Sequence, residues 1–276
     1  MKLVTGFLLI FIFQSSVSQV LTDDMKDQEE QFYASTKQVN QFFRRFNGEE
    51  DEKGDRFNPS DKQYRSYSVR KKYLPTLFDQ QSGQFENETI SEFVKHVSDK
   101  RAPLFLDFHS GDWLAEVQTT FLLNSREEIS GLLYMKLQKQ GQGYEWVIDD
   151  VSFDRYKKHF DKDTSSAKKF MHPMSHELDF MTLRKAFQNE HIEQFTSRNY
   201  QLDQLSIFLY EMNTAALQFK TVKDVKFHFF SIDGWYFSIS NFNRPGYNTG
   251  WLIENIVKLQ GEQHKLAMID YVYDKN

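Results

Sequence analysis

The chain has no cysteine in 276 residues. Disulfides, thiol catalysis and thiolate metal sites are excluded, and so is the lipidated cysteine that tethers a bacterial lipoprotein. A basic excess is also missing: the net charge is −5, and this mild acidity argues against nucleic acid, whose phosphates require a strong positive field. No apolar run approaches the roughly 20 residues that cross a bilayer. Nucleophile-elbow, Walker and dinucleotide-binding patterns do not occur. His176-Glu177 is followed by Phe180 where a zinc-protease helix needs its second histidine, so that motif is absent too. His172 and His176 are four apart, but Pro173 and a cap at Ser175 break the helical face they would share. No metal and no cofactor is expected.

The chain is rich in aromatics, at 16% with 27 Phe, each able to bury roughly 150–250 Å². At 39% hydrophobic and 26% charged it has an ordinary globular balance. Lys2, the apolar run Leu3–Phe13 and small Ser16 and Ser18 read as a secretory signal peptide over 1–18, cut to leave Gln19. The mature chain is expected to be soluble, without a transmembrane segment, and periplasmic or secreted. Asn87-Glu88-Thr89 is a glycosylation sequon, which matters only in a eukaryotic secretory route.

Along the chain, Asp23–Asn47 reads as a helix with Phe32, Val39, Phe43 and Phe46 on one face, stopped by Asn47-Gly48. Glu49–Asp55 reads as an acidic, solvated connector. Ser60 and Gln63 form a capping box for a second helix with Tyr64, Tyr67, Tyr73, Leu74, Leu77 and Phe78 as its apolar positions and a break at Pro75. Ile90, Phe93, Val94 and Val97 mark a third. Three strands follow, Trp113–Leu123, Ile129–Lys139 and Tyr144–Phe153, with short polar connectors that suit antiparallel neighbours. Arg155–Lys169 carries six Lys or Arg against two Asp, a local charge of +4, and reads as a linker. The second half repeats the order. Ser175 caps a helix with Phe180, Leu183 and Phe187, and Leu202–Phe219 is a longer helix. The strands Val225–Ile232 and Trp235–Asn241 flank Asp233-Gly234, and Trp251–Leu259 closes the meander.

Both meanders end in one phrase: Trp, aliphatic, Ile, acidic, Asp or Asn, aliphatic. Its tryptophans, Trp146 and Trp251, lie 105 positions apart. That period is too long for a solenoid and fits two copies of a small α+β domain, helices first and strands after. Phe42–Glu49 (FFRRFNGE) and Tyr144–Val151 (YEWVIDDV) resemble the opening helix and final strand of the NTF2-like (SnoaL-like) superfamily. The resemblance implies two tandem cone-like domains, each with helices packed on a curved antiparallel sheet. The expected organisation is a signal peptide over 1–18, a first domain over 19–154, a basic linker over 155–171 and a second domain over 172–276.

That superfamily includes enzymes, ligand binders and structural modules, so its fold does not carry a function. Its enzymes often place an Asp–His pair in the cone, and Asp107 and His109 in LFLDFH are the nearest such pair, sharing a face if the segment is a strand. On a strand Trp146, Ile148 and Asp150 share one face and Asp149 lies on the other. Trp251, Ile253 and Asn255 do the same in the second copy, so Asp150 and Asn255 are equivalent. An acid that becomes an amide argues against common chemistry and for strand-end polar groups. Phe242–Tyr247 (FNRPGY) brings Phe242, Arg244 and Tyr247 together as interface anchors, or else as a loop folded back on the sheet edge. The leading expectation is an exported, non-catalytic binding or assembly protein whose partner is a protein, a glycan or a small apolar ligand. The alternative is a hydrolase- or isomerase-like enzyme using Asp107 and His109.

Overall fold

The computed structural model describes residues 39–51, 53–82, 85–157, 173–178, 180–181, 183–188, 195, 203–244 and 248–273. The expected signal peptide, the first part of the opening helix, most of the basic linker, His172, the His176 side chain and Tyr247 lie outside them. No helix among the described residues is long and apolar enough to cross a membrane. Chain contacts define two compact units: residues up to Phe108 with Phe242–Leu252, and His109–Asn241 with Ile253–Asn276.

The first unit is helical. Helix α1 is described over 39–47, α2 spans Tyr67–Tyr73 and runs into a 3-10 turn over Leu74–Leu77, and α3 spans Asn87–Val97. Phe42, Phe46, Leu77, Phe78, Phe93 and Val97 are all at most 2% exposed. Phe93 meets Phe46 at 6.2 Å and Phe78 at 5.9 Å, both edge-on, the geometry the ring quadrupoles favour. Gly48 ends α1 with φ at +71°, and the Glu49 N–H closes back on the Arg44 carbonyl at 2.8 Å.

Three expectations for this unit are corrected. Helix α2 begins at Tyr67, with Ser66 and not Ser60 as its cap, because Arg65 takes a left-handed φ of +54° that no helix can pass through. Its buried residue is Arg70, whereas Tyr67 stays 38% exposed. Glu50, in the stretch expected to be solvated, is 2% exposed and clamped by Arg44 at 3.0 Å and Arg45 at 2.9 Å. Those arginines sit on the turn of α1 that faces it, so the acid is buried because it is paired.

Arg70 ties this unit together. Its guanidinium donates to the carbonyls of Phe46 at 3.1 Å, Val97 at 2.8 Å and Leu104 at 2.6 Å. It also lies over the Phe105 ring at 4.6 Å. Burial, helped by the nearby Arg65 charge, pulls its pKa down to about 10.

The second unit carries the sheet apart from Phe242 at the end of β5 and Gly250–Leu252 at the start of β6. Strands β1 (Trp113–Leu123), β2 (Glu127–Gln140), β3 (Gly143–Ser152), β4 (Leu217–Phe229), β5 (Trp235–Phe242) and β6 (Gly250–Lys258) lie in the order β3-β2-β1-β4-β5-β6. The coarse class is thus α+β, and both expected meanders form. They share one six-stranded sheet, because β1 and β4 pair antiparallel from Trp113↔Phe229 to Leu123↔Leu217. Short helices α4 (Asp154–Lys157) and α5 (Leu183–Phe187), the longer α6 (Gln204–Asn213) and α7 (Glu262–Val272), and a 3-10 turn over Pro173–Leu178 complete the described elements; Ser175, expected as a helix cap, lies inside that turn.

One sheet face receives α7: Leu114, Tyr134 and Tyr236 pack with Met268, Ile269, Val272 and Tyr273. The other receives α6: Phe121, Val151 and Phe153 pack with Leu205 and Phe208. Gly131 accommodates the Phe153 ring, whose Cε1 would be 2.2 Å from any added Cβ. Farther along that face Trp113 stacks on Phe229 at 5.5 Å, and Phe229 on Phe237 at 4.7 Å. Each such aromatic stabilises the fold by roughly 1.5–3 kcal/mol of transfer free energy. The helix expected over Leu202–Phe219 stops at Asn213, because Ala215 turns to φ +57° and β4 starts at Leu217. The Asp233-Gly234 turn forms, within a longer loop than the two residues expected: the ladder ends at Phe229↔Phe237.

Candidate functional site

The segment Leu104–His109 is not a strand, so the period-2 argument for a shared face does not apply to Asp107 and His109. Both are exposed. Asp107 lines a shallow cleft of about 480 Å³ with Arg44, Arg65 and Phe105, and the His109 ring lies 4.6 Å from Tyr144 of strand β3. Neither position has the desolvated surroundings in which a general base is tuned.

Arg244 faces inward. It hydrogen-bonds Asp79, Asn248 Oδ1 at 2.7 Å and the Asn248 carbonyl at 2.8 Å, and stacks over Phe242 at 4.8 Å. Asn248 in turn donates to the carbonyls of Phe78 and Thr76 and accepts from the Gln80 N–H. Burial acts to raise the Asp79 carboxyl, but the Arg244 hydrogen bond, the Gln81 and Ser82 contacts and the Arg244 charge outweigh it and hold it below the usual carboxylate range. Phe242 and Arg244 therefore belong to a loop clamped onto its own unit.

The strand ends also depart from simple alternation. β3 bulges opposite Tyr134 and Met135, so Asp150 pairs with Tyr134 while Ile148 pairs with Met135. The extra residue is Asp149. Asp149 and Asp150 then lie on the α7 face together, not on opposite faces. Asp149 accepts from Tyr273 Oη at 2.7 Å and pairs with Lys136 at 2.9 Å. Burial first, then the Asp149 hydrogen bond, pushes the Tyr273 phenol up. Asn255 is exposed on β6; its neighbour Glu254 is the engaged residue, accepting from Ser238 at 3.2 Å and pairing with Lys226 at 2.6 Å.

A polar row sits beside Glu254 on the same face. His228, 4% exposed, bridges Tyr236 Oη at 2.8 Å on Nδ1 and Glu116 at 3.1 Å on Nε2. Ser238 is its cross-strand partner, yet the serine hydroxyl is committed to Glu254. The row has a hydroxyl, an imidazole and carboxylates without a serine–histidine hydrogen bond, and each group is satisfied by its neighbours. Sequence reading missed it. Its signal, polar residues alternating with Phe227 and Phe229 on β4, identifies a face but not a partner.

The open site is elsewhere. Along α3, Asn87, Ile90, Ser91, Val94 and Lys95 fall on one face, and Tyr67, Lys71 and Pro75 face them from α2 and the 3-10 turn. Between the two runs lies a trough of about 1020 Å³. Phe85 closes one end, and Lys100 and Arg101 flank the other. Among the described residues no group of three or more histidines and carboxylates is placed to hold a metal. Comparison of the chain with protein-family models, with curated proteins and with solved structures finds no match.

Proposed function

We propose that the chain is an exported, non-catalytic binding protein and that the trough between α2 and α3 is where it binds. The trough carries the reading. Its volume is at the upper end of ligand sites, its walls mix aromatic and aliphatic side chains with a few polar ones, and it is built on helices fixed by the Arg70 staple. The ionisable groups of the sheet support the same view, since they are closed on one another. The finer architectural proposal, two NTF2-like copies, draws its support from the repeated closing phrase and from two meanders of like order. Export draws its support from the leader-like N-terminus alone.

The test is binding with a blocked trough. The purified chain is screened by thermal shift and native mass spectrometry against glycans, peptides and small apolar ligands. Ser91 lines the trough and is exposed, so Ser91→Trp fills it with little effect on folding. One-to-one binding that Ser91→Trp abolishes supports the proposal. Binding that Ser91→Trp leaves intact overturns it. Turnover of a screened compound that Asp107→Ala abolishes would establish the enzymatic alternative.

A further inference from the structure

We infer that the trough takes an amphiphilic anion, with its charged head at the Tyr67–Lys100 end and its apolar body along Pro75, Phe85 and Ile90. The inference rests on the trough being the binding site and adds the chemistry of its ligand. The trough is polarised along its length. Lys71, Lys95, Lys100 and Arg101 contribute four cations against the two carboxylates Asp79 and Asp99. This positive rim belongs to a chain of net charge −5, so it is a local concentration of charge and not the general character of the surface.

The two acids are already engaged. Asp79 holds Arg244, and Asp99 accepts from the N–H groups of Arg101 at 2.7 Å and Ala102 at 3.0 Å. Two of the cations share one ring: Lys100 Nζ lies 4.7 Å and Lys71 Nζ 5.9 Å from the Tyr67 centroid. All four, Lys71, Lys95, Lys100 and Arg101, are exposed, which leaves them able to turn toward a carboxylate, sulfate or phosphate head. The far end is different. Pro75, Phe85 and Ile90 are half-buried, and Val94 on the floor is 6% exposed. α3 is 11 residues long, roughly 16 Å at 1.5 Å per residue, enough for an alkyl or aromatic body below a single head.

The experiment is calorimetric titration of the full chain with decanoate and with decanol, a probe of equal length and no charge, both below their aggregation limits. Decanoate should bind one-to-one. Lys95→Glu/Lys100→Glu should weaken it at least about tenfold, and raising salt from about 50 to 500 mM should weaken it severalfold. Lys139→Glu, which makes the same kind of charge change on an exposed residue of β2, should change it less than about twofold. The altered lysines are exposed, and unchanged melting curves show that folding is intact. The inference is overturned if decanoate does not bind, if decanol binds as tightly, or if Lys139→Glu weakens binding as much as the double variant. Decanol binding that Ser91→Trp abolishes overturns the anion inference and leaves the trough as the binding site. Decanoate binding that Ser91→Trp does not touch overturns both.

Discussion

Asp149 and Glu254 stand three residues after Trp146 and Trp251, at matching places in the two copies of the closing phrase, and each holds one lysine and one hydroxyl. Asp149 takes Lys136 and the Tyr273 phenol; Glu254 takes Lys226 and Ser238. The partners come from different elements: β2 and the residue after α7 in one case, β4 and β5 in the other. The repeated acid is thus a fastening position of the sheet. It also sits on each edge strand of the order β3-β2-β1-β4-β5-β6, and on β3 the Asp149 bulge interrupts a long edge that could otherwise pair with another chain.

The Tyr273–Asp149 bond should latch α7 to the sheet. Tyr273→Phe is expected to cost about 1 kcal/mol in urea unfolding, the ordinary value of one hydrogen bond. Asp149→Asn should cost a similar amount, and the double variant less than the sum. Additive losses would show that the two side chains act independently. Lys136 is 40% exposed on its side chain, so its ion pair should add little.

Arg70→Met should cost about 3 kcal/mol, because three carbonyls lose a charged donor in a buried place. Arg70→Lys should recover little, since one ammonium cannot reach carbonyls that a planar fork serves in three directions. Denaturant midpoints for the three proteins decide it. A lysine variant as stable as the parent would show that charge alone is what matters there.

The clamp at Asp79 should give part of the acid sensitivity. Its folded carboxyl titrates below its unfolded value, so its contribution is fully present above the unfolded pKa of about 4 and is lost as pH falls through the lower folded one. Asp79→Asn should therefore be less stable than the parent at neutral pH, with the gap closing below about pH 4. Thermal melts from pH 7 to pH 2 measure it. A gap that does not change with pH would mean that Asp79 acts through shape and not through charge.

Gly131→Ala should cost about 2 kcal/mol, since the new methyl would lie 2.2 Å from the Phe153 ring, well inside van der Waals contact, and the ring must move. Phe153→Leu should relieve part of that clash, so the double variant should lose less than the two single losses combined. Full additivity in melting experiments would remove the ring from the explanation.

Strand existence and order were legible in the sequence, because period-2 alternation and short polar connectors report local geometry. All six expected strands are present, most within four residues at each end, and β4 begins eight residues before its expected start, inside the segment expected to be helical. α3 and the stop at Gly48 were legible for the same reason. α7 was not read, though Met268, Ile269 and Val272 carry its spacing. Arg70, Glu50 and His228 were not legible as buried residues. A charged or polar side chain enters a core only where partners meet it: those partners lie 24 to 34 residues away for Arg70 and 112 for the His228–Glu116 contact, while Glu50 is met by arginines five and six residues back only because the chain turns after α1.

The sequence by itself determined the α+β class, the two meanders and the repeated closing phrase, because each depends on propensities and periods within about ten residues. Only the tertiary structure decided that β1 and β4 join the meanders into one sheet, that a bulge brings Asp149 and Asp150 to one face, and that Arg244 is turned in toward Asp79. It also decided that residues 67 to 101 enclose a trough. Apart from the bulge, which lies between neighbouring strands, each of these is a choice of partner between segments far apart in the chain, settled by which groups can satisfy one another at once.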